Sequence, residues 1–147
     1  MVKAILEIEA PLSEELLLKR IVRYFEREKV TSVVQRAYEQ QMRGYQRYGI
    51  IRRNGFLYLD NGKGIQFRRP GDDIERNIKQ IAPEELAAGM LEILKQNVTA
   101  DRNGLYRSLA SQCGVNRVGK AINETLDSAL RTLEGSIVID GDQLSLK

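Results

Sequence analysis

Two short stretches of similar pattern decide the fold: IIRRNGFLYL at residues 50–59 and SIVIDGDQLSL at residues 136–146. In each stretch an apolar run leads into Asn-Gly or Asp-Gly, and a second short run follows and ends in Leu. Asn-Gly and Asp-Gly favour the tight turn of a two-residue β-hairpin, because these residues tolerate positive φ. The sequence therefore predicts one β-hairpin near residue 54 and another near residue 141.

Helical patterns precede each hairpin. Ser13, followed by Glu14 and Glu15, is typical of a helix start, because a hydroxyl caps the first amides and carboxylates favour the positive end of the helix dipole. Gly135 is typical of a helix end. Each copy of the pattern is predicted as helix, short extended link, helix, helix and hairpin. The predicted helices span residues 2–9, 14–28, 31–48, 83–96, 101–112 and 116–134.

Three helices followed by a β-hairpin is the element order of a winged helix-turn-helix domain, whose third helix keeps one face open to solvent. We therefore expect a mainly α protein with small β-hairpins, built as tandem winged helix-turn-helix domains. The two copies share the order of their elements but little sequence identity. The predicted domains are residues 1–59 and 83–147, joined by a connector over residues 60–82.

The composition excludes several chemistries. The chain has no His, no Trp and one Cys, so catalysis through His and zinc sites built from Cys and His are ruled out. We expect no enzymatic activity, no cofactor and no metal site. Cys113 cannot form an internal disulfide, which suits a reducing compartment. No window approaches the roughly 18 consecutive apolar residues of a membrane span, so we expect a cytoplasmic protein without a membrane partner.

The positive charge is concentrated in the first copy. Residues 1–59 contain 11 Lys and Arg against 7 Asp and Glu, whereas residues 81–147 contain 7 against 9. Between residues 31 and 59 there are five Arg and a single carboxylate, Glu39. A basic face of this kind suits nucleic acid, although a polar helix face with several Arg is also typical of plain solvation.

The third predicted helix of the first copy has two sides. We expect its apolar stripe to pack in the core; this stripe consists of Val34, Tyr38, Gln41 or Met42, Tyr45 and Tyr48. Its other side carries Arg and Gln at helical spacing, which are side chains that contact phosphates and base edges. The adjacent hairpin adds two arginines. The candidate DNA-binding residues of this copy are Arg36, Gln40, Arg43, Arg47, Arg52 and Arg53.

The second copy is less suited to DNA. The outer side of its third helix mixes both signs of charge, and Asp140 and Asp142 lie at the tip of its hairpin. We expect this copy to contact protein or to support the first copy structurally. Arg117 and Lys120, near the start of the third helix, are the exceptions that could contact a nucleic-acid backbone.

The connector has charged residues with two interpretations. Arg68 and Arg69 could bind phosphate, but the favoured interpretation is that Arg68, Arg69 and Arg76 pair with the nearby acids and hold the connector in place. Those acids are Asp72, Asp73 and Glu75. A Mg²⁺ site formed by the same three acids is disfavoured, because arginines surround them and no further carboxylate joins the cluster.

Four stretches together resemble an uncharacterised domain family found near the carboxyl end of large superfamily-one DNA helicase-related ATPases. They are EAPLS at residues 9–13, FRRPG at 67–71, IAPEELAA at 81–88 and GVNRVG at 114–119. The resemblance spans nearly the whole chain and implies a role with DNA inside a larger protein. The Gly-x-x-Arg-x-Gly element, formed by Gly114, Arg117 and Gly119, has no counterpart in the first copy. The motor motifs of helicases are absent from the sequence, so the resemblance does not extend to their ATPase activity.

The favoured hypothesis is therefore a module that binds duplex DNA, as an accessory part of a larger helicase-like protein. The other domains of that parent protein would be its further partners. The alternative is a protein-interaction or dimerisation module, with a homodimer as one form, in which the Arg side chains serve only solvation.

Overall fold

A computed structural model describes residues 1–69 and 76–147. The chain forms two compact units, a first unit over Met1–Gly64 and a second unit over Ile65–Lys147. In the described residues the fold is mainly α-helical, with one small antiparallel sheet of three strands in each unit. Both units show the predicted order of helix, extended segment, helix, helix and hairpin.

The first unit places a three-stranded sheet beside three α-helices. Its sheet has the order β1-β3-β2, so the extended link before the second helix pairs with the second strand of the hairpin. Asn54 and Gly55 form the hairpin turn with φ of 51° and 80°, as this turn requires. The elements are α1 (Val2–Glu9), β1 (Leu12–Ser13), α2 (Glu14–Tyr24), α3 (Ser32–Gln41), β2 (Ile50–Arg53) and β3 (Phe56–Leu59).

The core of the first unit lies between these helices and the sheet. Leu6 of α1, Leu17 of α2 and Leu57 of β3 are almost completely buried in it. The predicted cap is confirmed, because the Ser13 hydroxyl accepts a hydrogen bond from the Leu16 amide at 3.1 Å. Thr31 caps α3 in the same way.

The prediction of one helix over residues 31–48 is wrong. The helix α3 ends at Gln41, and a separate 3₁₀-helix follows over Tyr45–Tyr48. Gly44 and Gly49 flank this 3₁₀-helix with φ of 73° and 72°, a left-handed conformation that stops an α-helix and that glycine adopts without strain. The helix predicted over residues 14–28 is also shorter, because α2 ends at Tyr24.

The predicted core stripe of this region is only partly buried. Tyr38 and Met42 belong to the core, whereas Val34 and Tyr45 are half-buried. Tyr48 is 58% exposed, because it lies on the 3₁₀-helix and no longer follows the face of α3.

The second unit repeats the arrangement, with a longer first and third helix. Its sheet has the order β4-β6-β5, and Leu86, Met90, Leu105 and Leu126 are fully buried in its core. Helix α6 begins and ends inside the predicted span of residues 116–134. The elements are α4 (Pro83–Asn97), β4 (Thr99–Asp101), α5 (Arg102–Gln112), α6 (Lys120–Arg131), β5 (Ile137–Asp140) and β6 (Gln143–Leu146), preceded by a 3₁₀-helix over Ile78–Gln80.

Much of the predicted connector belongs to the second unit. Phe67, Ile78 and Ile81 are buried in the core around α4, so the boundary between the units lies after Gly64. The prediction of a connector over residues 60–82 is wrong for these residues, because their apolar side chains are buried in the core although glycine and proline surround them.

A buried ion-pair network joins this segment to α4. The carboxylate of Glu85 is fully buried and accepts hydrogen bonds from the Arg76 guanidinium at 2.7 and 2.8 Å, and from Arg68 Nε at 2.8 Å. Arg76 also donates to the Arg68 carbonyl at 2.7 Å. The partner of Arg68 and Arg76 is therefore Glu85 of α4, an acid outside the segment from which partners are predicted. The expected partners at positions 72, 73 and 75, and the disfavoured Mg²⁺ site there, lie outside the described residues.

Three general features of the described residues complete the fold. No helix among them combines the length and apolar character needed to cross a lipid bilayer. No cluster of acidic or Cys side chains among them could hold a metal ion. Cys113 is buried, and burial raises the pKa of its thiol to about 11.

Candidate nucleic-acid interface

Helix α3 is almost entirely open to solvent. Within α3, Tyr38 alone is buried, while Arg36 and Gln40 are exposed. Residues four apart lie on one face of a helix, so Arg36 and Gln40 project from α3 together. Neither side chain forms a hydrogen bond or an ion pair within the described part of the chain.

Arg43 and Arg47 lie beyond the end of this helix. Arg43 is in the turn after α3, where its amide donates to the Gln40 carbonyl at 3.3 Å, and Arg47 is on the 3₁₀-helix. Both are exposed, and neither side chain has a polar partner among residues 1–69 and 76–147. The expectation that all four residues project from a single helix is therefore wrong, although all four are open to solvent.

The two hairpin arginines have partners within the first unit. Arg52 donates to both carboxylate oxygens of Glu39, at 2.8 and 3.1 Å, and its Nε lies 2.9 Å from the Glu14 carboxylate. The guanidinium carbon of Arg53 lies 4.6 Å from the ring centre of Tyr58, a cation–π contact. Arg52 thus already has two acidic partners and is poorly placed to neutralise phosphate.

The ion pair between Arg52 and Glu39 affects the net charge of α3 and the turn after it. Its hydrogen bonds hold the pKa of the Glu39 carboxyl below its usual range, so Glu39 is ionised and paired at neutral pH. Glu39 is the single carboxylate between residues 31 and 59. Its pairing leaves the charges of Arg36, Arg43 and Arg47 uncompensated within that stretch.

Glu14 completes this network, a role that the sequence does not predict. The Tyr38 hydroxyl donates to the Glu14 carboxylate at 2.6 Å. Burial, this hydrogen bond and the negative charge of Glu14 all raise the pKa of Tyr38, so the phenol stays protonated. Glu14 had been interpreted only as a first-turn acid of α2. No local pattern marks its partners, because Tyr38 lies 24 positions and Arg52 lies 38 positions further along the chain.

The second unit has a different set of charges. Arg117 lies in the loop between α5 and α6, and Lys120 is the first residue of α6; both are exposed. Arg117 also lines a cavity of about 370 Å³, together with Arg107. At the hairpin tip, Asp140 and Asp142 are exposed, as expected for a surface that repels phosphate.

Comparison with known proteins adds no relative to this description. No protein-family model, no curated protein and no solved structure matches the chain. The resemblance to the helicase-associated family stays a prediction from the sequence.

Proposed function

We propose that the protein is a nucleic-acid-binding module that contacts duplex DNA through its first unit. In this proposal each unit is a winged helix-turn-helix, with the hairpin as the wing. The order of the helices and the three-stranded sheet in each unit support it. In domains of this kind the third helix enters the major groove, and α3 is the third helix of the first unit.

The observation that carries the proposal is the uncompensated charge of α3 and the turn after it. Arg36, Arg43 and Arg47 are exposed and have no acidic partner in the described residues, while Arg52 binds Glu39. Arg36 and Gln40 would contact base edges, since Arg pairs with guanine and Gln with adenine. Arg43 and Arg47 would contact backbone phosphates.

We expect binding to duplex DNA to weaken by roughly tenfold for each lost phosphate contact in the triple variant Arg36→Gln/Arg43→Gln/Arg47→Gln. The slope of log K against log salt should become less steep by about 0.9 for each contact, because fewer counterions are released. Fluorescence anisotropy with a labelled duplex at several salt concentrations measures both quantities.

The matched control for this variant is Lys3→Gln/Lys63→Gln/Lys95→Gln. It removes the same charge from exposed residues outside α3 and its turn. Affinity and salt slope of the control should remain close to those of the unmodified protein. Equal losses in the two variants would mean that the overall charge binds DNA and would reject the proposed face.

Arg52→Gln is expected to weaken DNA binding although Arg52 does not touch DNA in this proposal. The substitution leaves the ionised carboxylate of Glu39, itself a residue of α3, without its positive partner, and its charge then repels phosphate. Adding Glu39→Gln should restore most of the affinity, and the salt slope of the double variant should match that of the unmodified protein. If the double variant binds as weakly as Arg52→Gln, Arg52 contacts phosphate directly.

An exposed apolar surface favours the alternative of a protein-interaction module. Phe25 and Val33 are 57% and 72% exposed, and they line a cavity of about 560 Å³ between α2 and α3. Light scattering of the chain with and without DNA separates the two functions. A stable dimer with no affinity for DNA at low salt would favour the alternative and reject the proposed function.

The resemblance to the helicase-associated family adds a context to the proposal. In that context the module is an accessory part of a larger DNA-processing protein, and its other partners are domains of that parent.

A further inference from the structure

A polar cavity of about 370 Å³ lies in the second unit, between α5 and the start of α6. Two arginines and three asparagines contribute to its lining, and none of the described residues that line it carries a carboxylate. These residues are Asn103, Arg107, Asn116, Arg117 and Asn123. The cavity shares no residue with α3 or the turn after it. Its ligand is therefore independent of the proposed DNA contact.

The two arginines of this cavity have no acidic partner among the described residues. Arg107 and Arg117 are exposed, and neither forms an ion pair or side-chain hydrogen bond within residues 1–69 and 76–147. The nearby carboxylate of Asp127 pairs with neither arginine and instead accepts hydrogen bonds from the Tyr106 hydroxyl at 2.6 Å and the Asn123 amide at 3.4 Å. Its single negative charge is smaller than the two positive charges of the arginines. The electrostatic potential in the cavity therefore favours an anion.

The start of α6 adds to this preference. Gly119 is the N-cap residue and has no side chain to cap the helix, and the first turn of α6 contains no acidic residue. The first backbone N–H groups of a helix need acceptors, and an anion can supply them. Lys120 adds a further positive charge at this end.

We propose that this cavity binds the phosphate group of a nucleotide-sized ligand. The guanidinium groups of Arg107 and Arg117 suit phosphate, since each can donate two parallel hydrogen bonds to its oxygens. Asparagine amides can donate further hydrogen bonds to the phosphate or accept them from a sugar hydroxyl. A volume of about 370 Å³ exceeds that of a phosphate alone and lies in the range of small-molecule sites, about 300–1,000 Å³.

The test is a titration of the isotope-labelled full-length chain, followed by NMR, with adenosine monophosphate and with adenosine. Adenosine monophosphate should cause saturable shifts of the Lys120 backbone amide and of the side-chain amides of Asn103 and Asn116. Adenosine should cause none. Absence of saturable shifts with adenosine monophosphate, or equal shifts with adenosine, would overturn the proposal.

Arg107→Gln/Arg117→Gln should weaken the binding of adenosine monophosphate by about a hundredfold, since two charged hydrogen-bond donors are lost. The control variant, Lys95→Gln/Lys147→Gln, removes the same charge from exposed positions outside the cavity and should bind as the unmodified chain does. Equal binding by the two variants would also overturn the proposal. Circular dichroism checks that each variant is folded.

Two further titrations separate the source of the phosphate and the two proposals. A dinucleotide with only an internal diester phosphate should bind if the cavity accommodates a nucleic-acid backbone. If adenosine monophosphate binds and the dinucleotide does not, the ligand is a free nucleotide. Both results support a phosphate site. Arg36→Gln/Arg43→Gln/Arg47→Gln should leave the titration with adenosine monophosphate unchanged. If the first unit does not bind DNA, the binding of adenosine monophosphate to the cavity is therefore unaffected.

Discussion

Glu85→Gln is expected to lower the free energy of unfolding by about 3–5 kcal/mol, because it removes one partner of a buried ion pair. The side chain of Arg76 is only 1% exposed, so its charge cannot be solvated when the carboxylate is lost. The neutral amide also places N–H donors where Arg68 and Arg76 need acceptors. Urea unfolding followed by circular dichroism measures the loss.

The control for this substitution is Glu92→Gln, at an exposed position on the same helix. It should change stability by less than about 0.5 kcal/mol. The variant Arg76→Met/Glu85→Leu removes both members of the closest pair and should recover part of the stability, since no buried charge is left there unpaired. A loss in Glu85→Gln as small as that of the control would contradict the assigned network.

The dependence on pH gives a second measurement of the same network. Burial opposes ionisation of Glu85, but hydrogen bonds and positive charge from Arg76 and Arg68 outweigh it and hold its pKa below the usual value. A lowered pKa in the folded state contributes stability above the ordinary carboxyl pKa of about 4.3, and this contribution is lost as the pH falls through the folded value. The stability of Glu85→Gln should consequently decline less steeply in acid.

Phe67→Ala is expected to lower the free energy of unfolding by about 3–5 kcal/mol, the usual range for removing a buried aromatic ring. Phe67 is 9% exposed and packs in the core of the second unit. Its ring lies close to Gly89 of α4, where an added Cβ would be 3.0 Å from the ring. The missing side chain of Gly89 thus makes room for the ring, and truncating Phe67 leaves a cavity. Thermal or urea unfolding measures the effect.

Ile65→Ala is the matched control, because Ile65 is only two residues away and is exposed. It should cost less than about 0.5 kcal/mol. If Phe67→Ala costs no more than this control, residues 65–69 act only as a connector, as predicted from the sequence.

The secondary structure could be predicted largely from local sequence. Asn54-Gly55 and Gly141 mark the two hairpin turns, and Ser13 caps α2 as expected. The third helix is shorter than the predicted span of residues 31–48, because the positive φ of Gly44 is incompatible with a continuous α-helix. Helix ends depend on single residues and are therefore harder to locate than helices themselves.

The candidate interface was predicted only in part. Exposed Arg36, Gln40, Arg43 and Arg47 follow from the spacing of polar residues, and the structure places all four in solvent. The pairing of Arg52 with Glu39 and Glu14 did not follow, because both acids come from other elements of the first unit.

The sequence by itself determined the order of the elements, the hairpin turns and the concentration of positive charge in the first unit. These properties depend on near neighbours along the chain, through turn chemistry, capping and helical periodicity. Only the tertiary structure decided which charges are neutralised, as for Arg52 and Glu39, and which are buried, as for Arg76 and Glu85. The reason is that ion pairing and burial depend on distances in space between segments far apart in sequence.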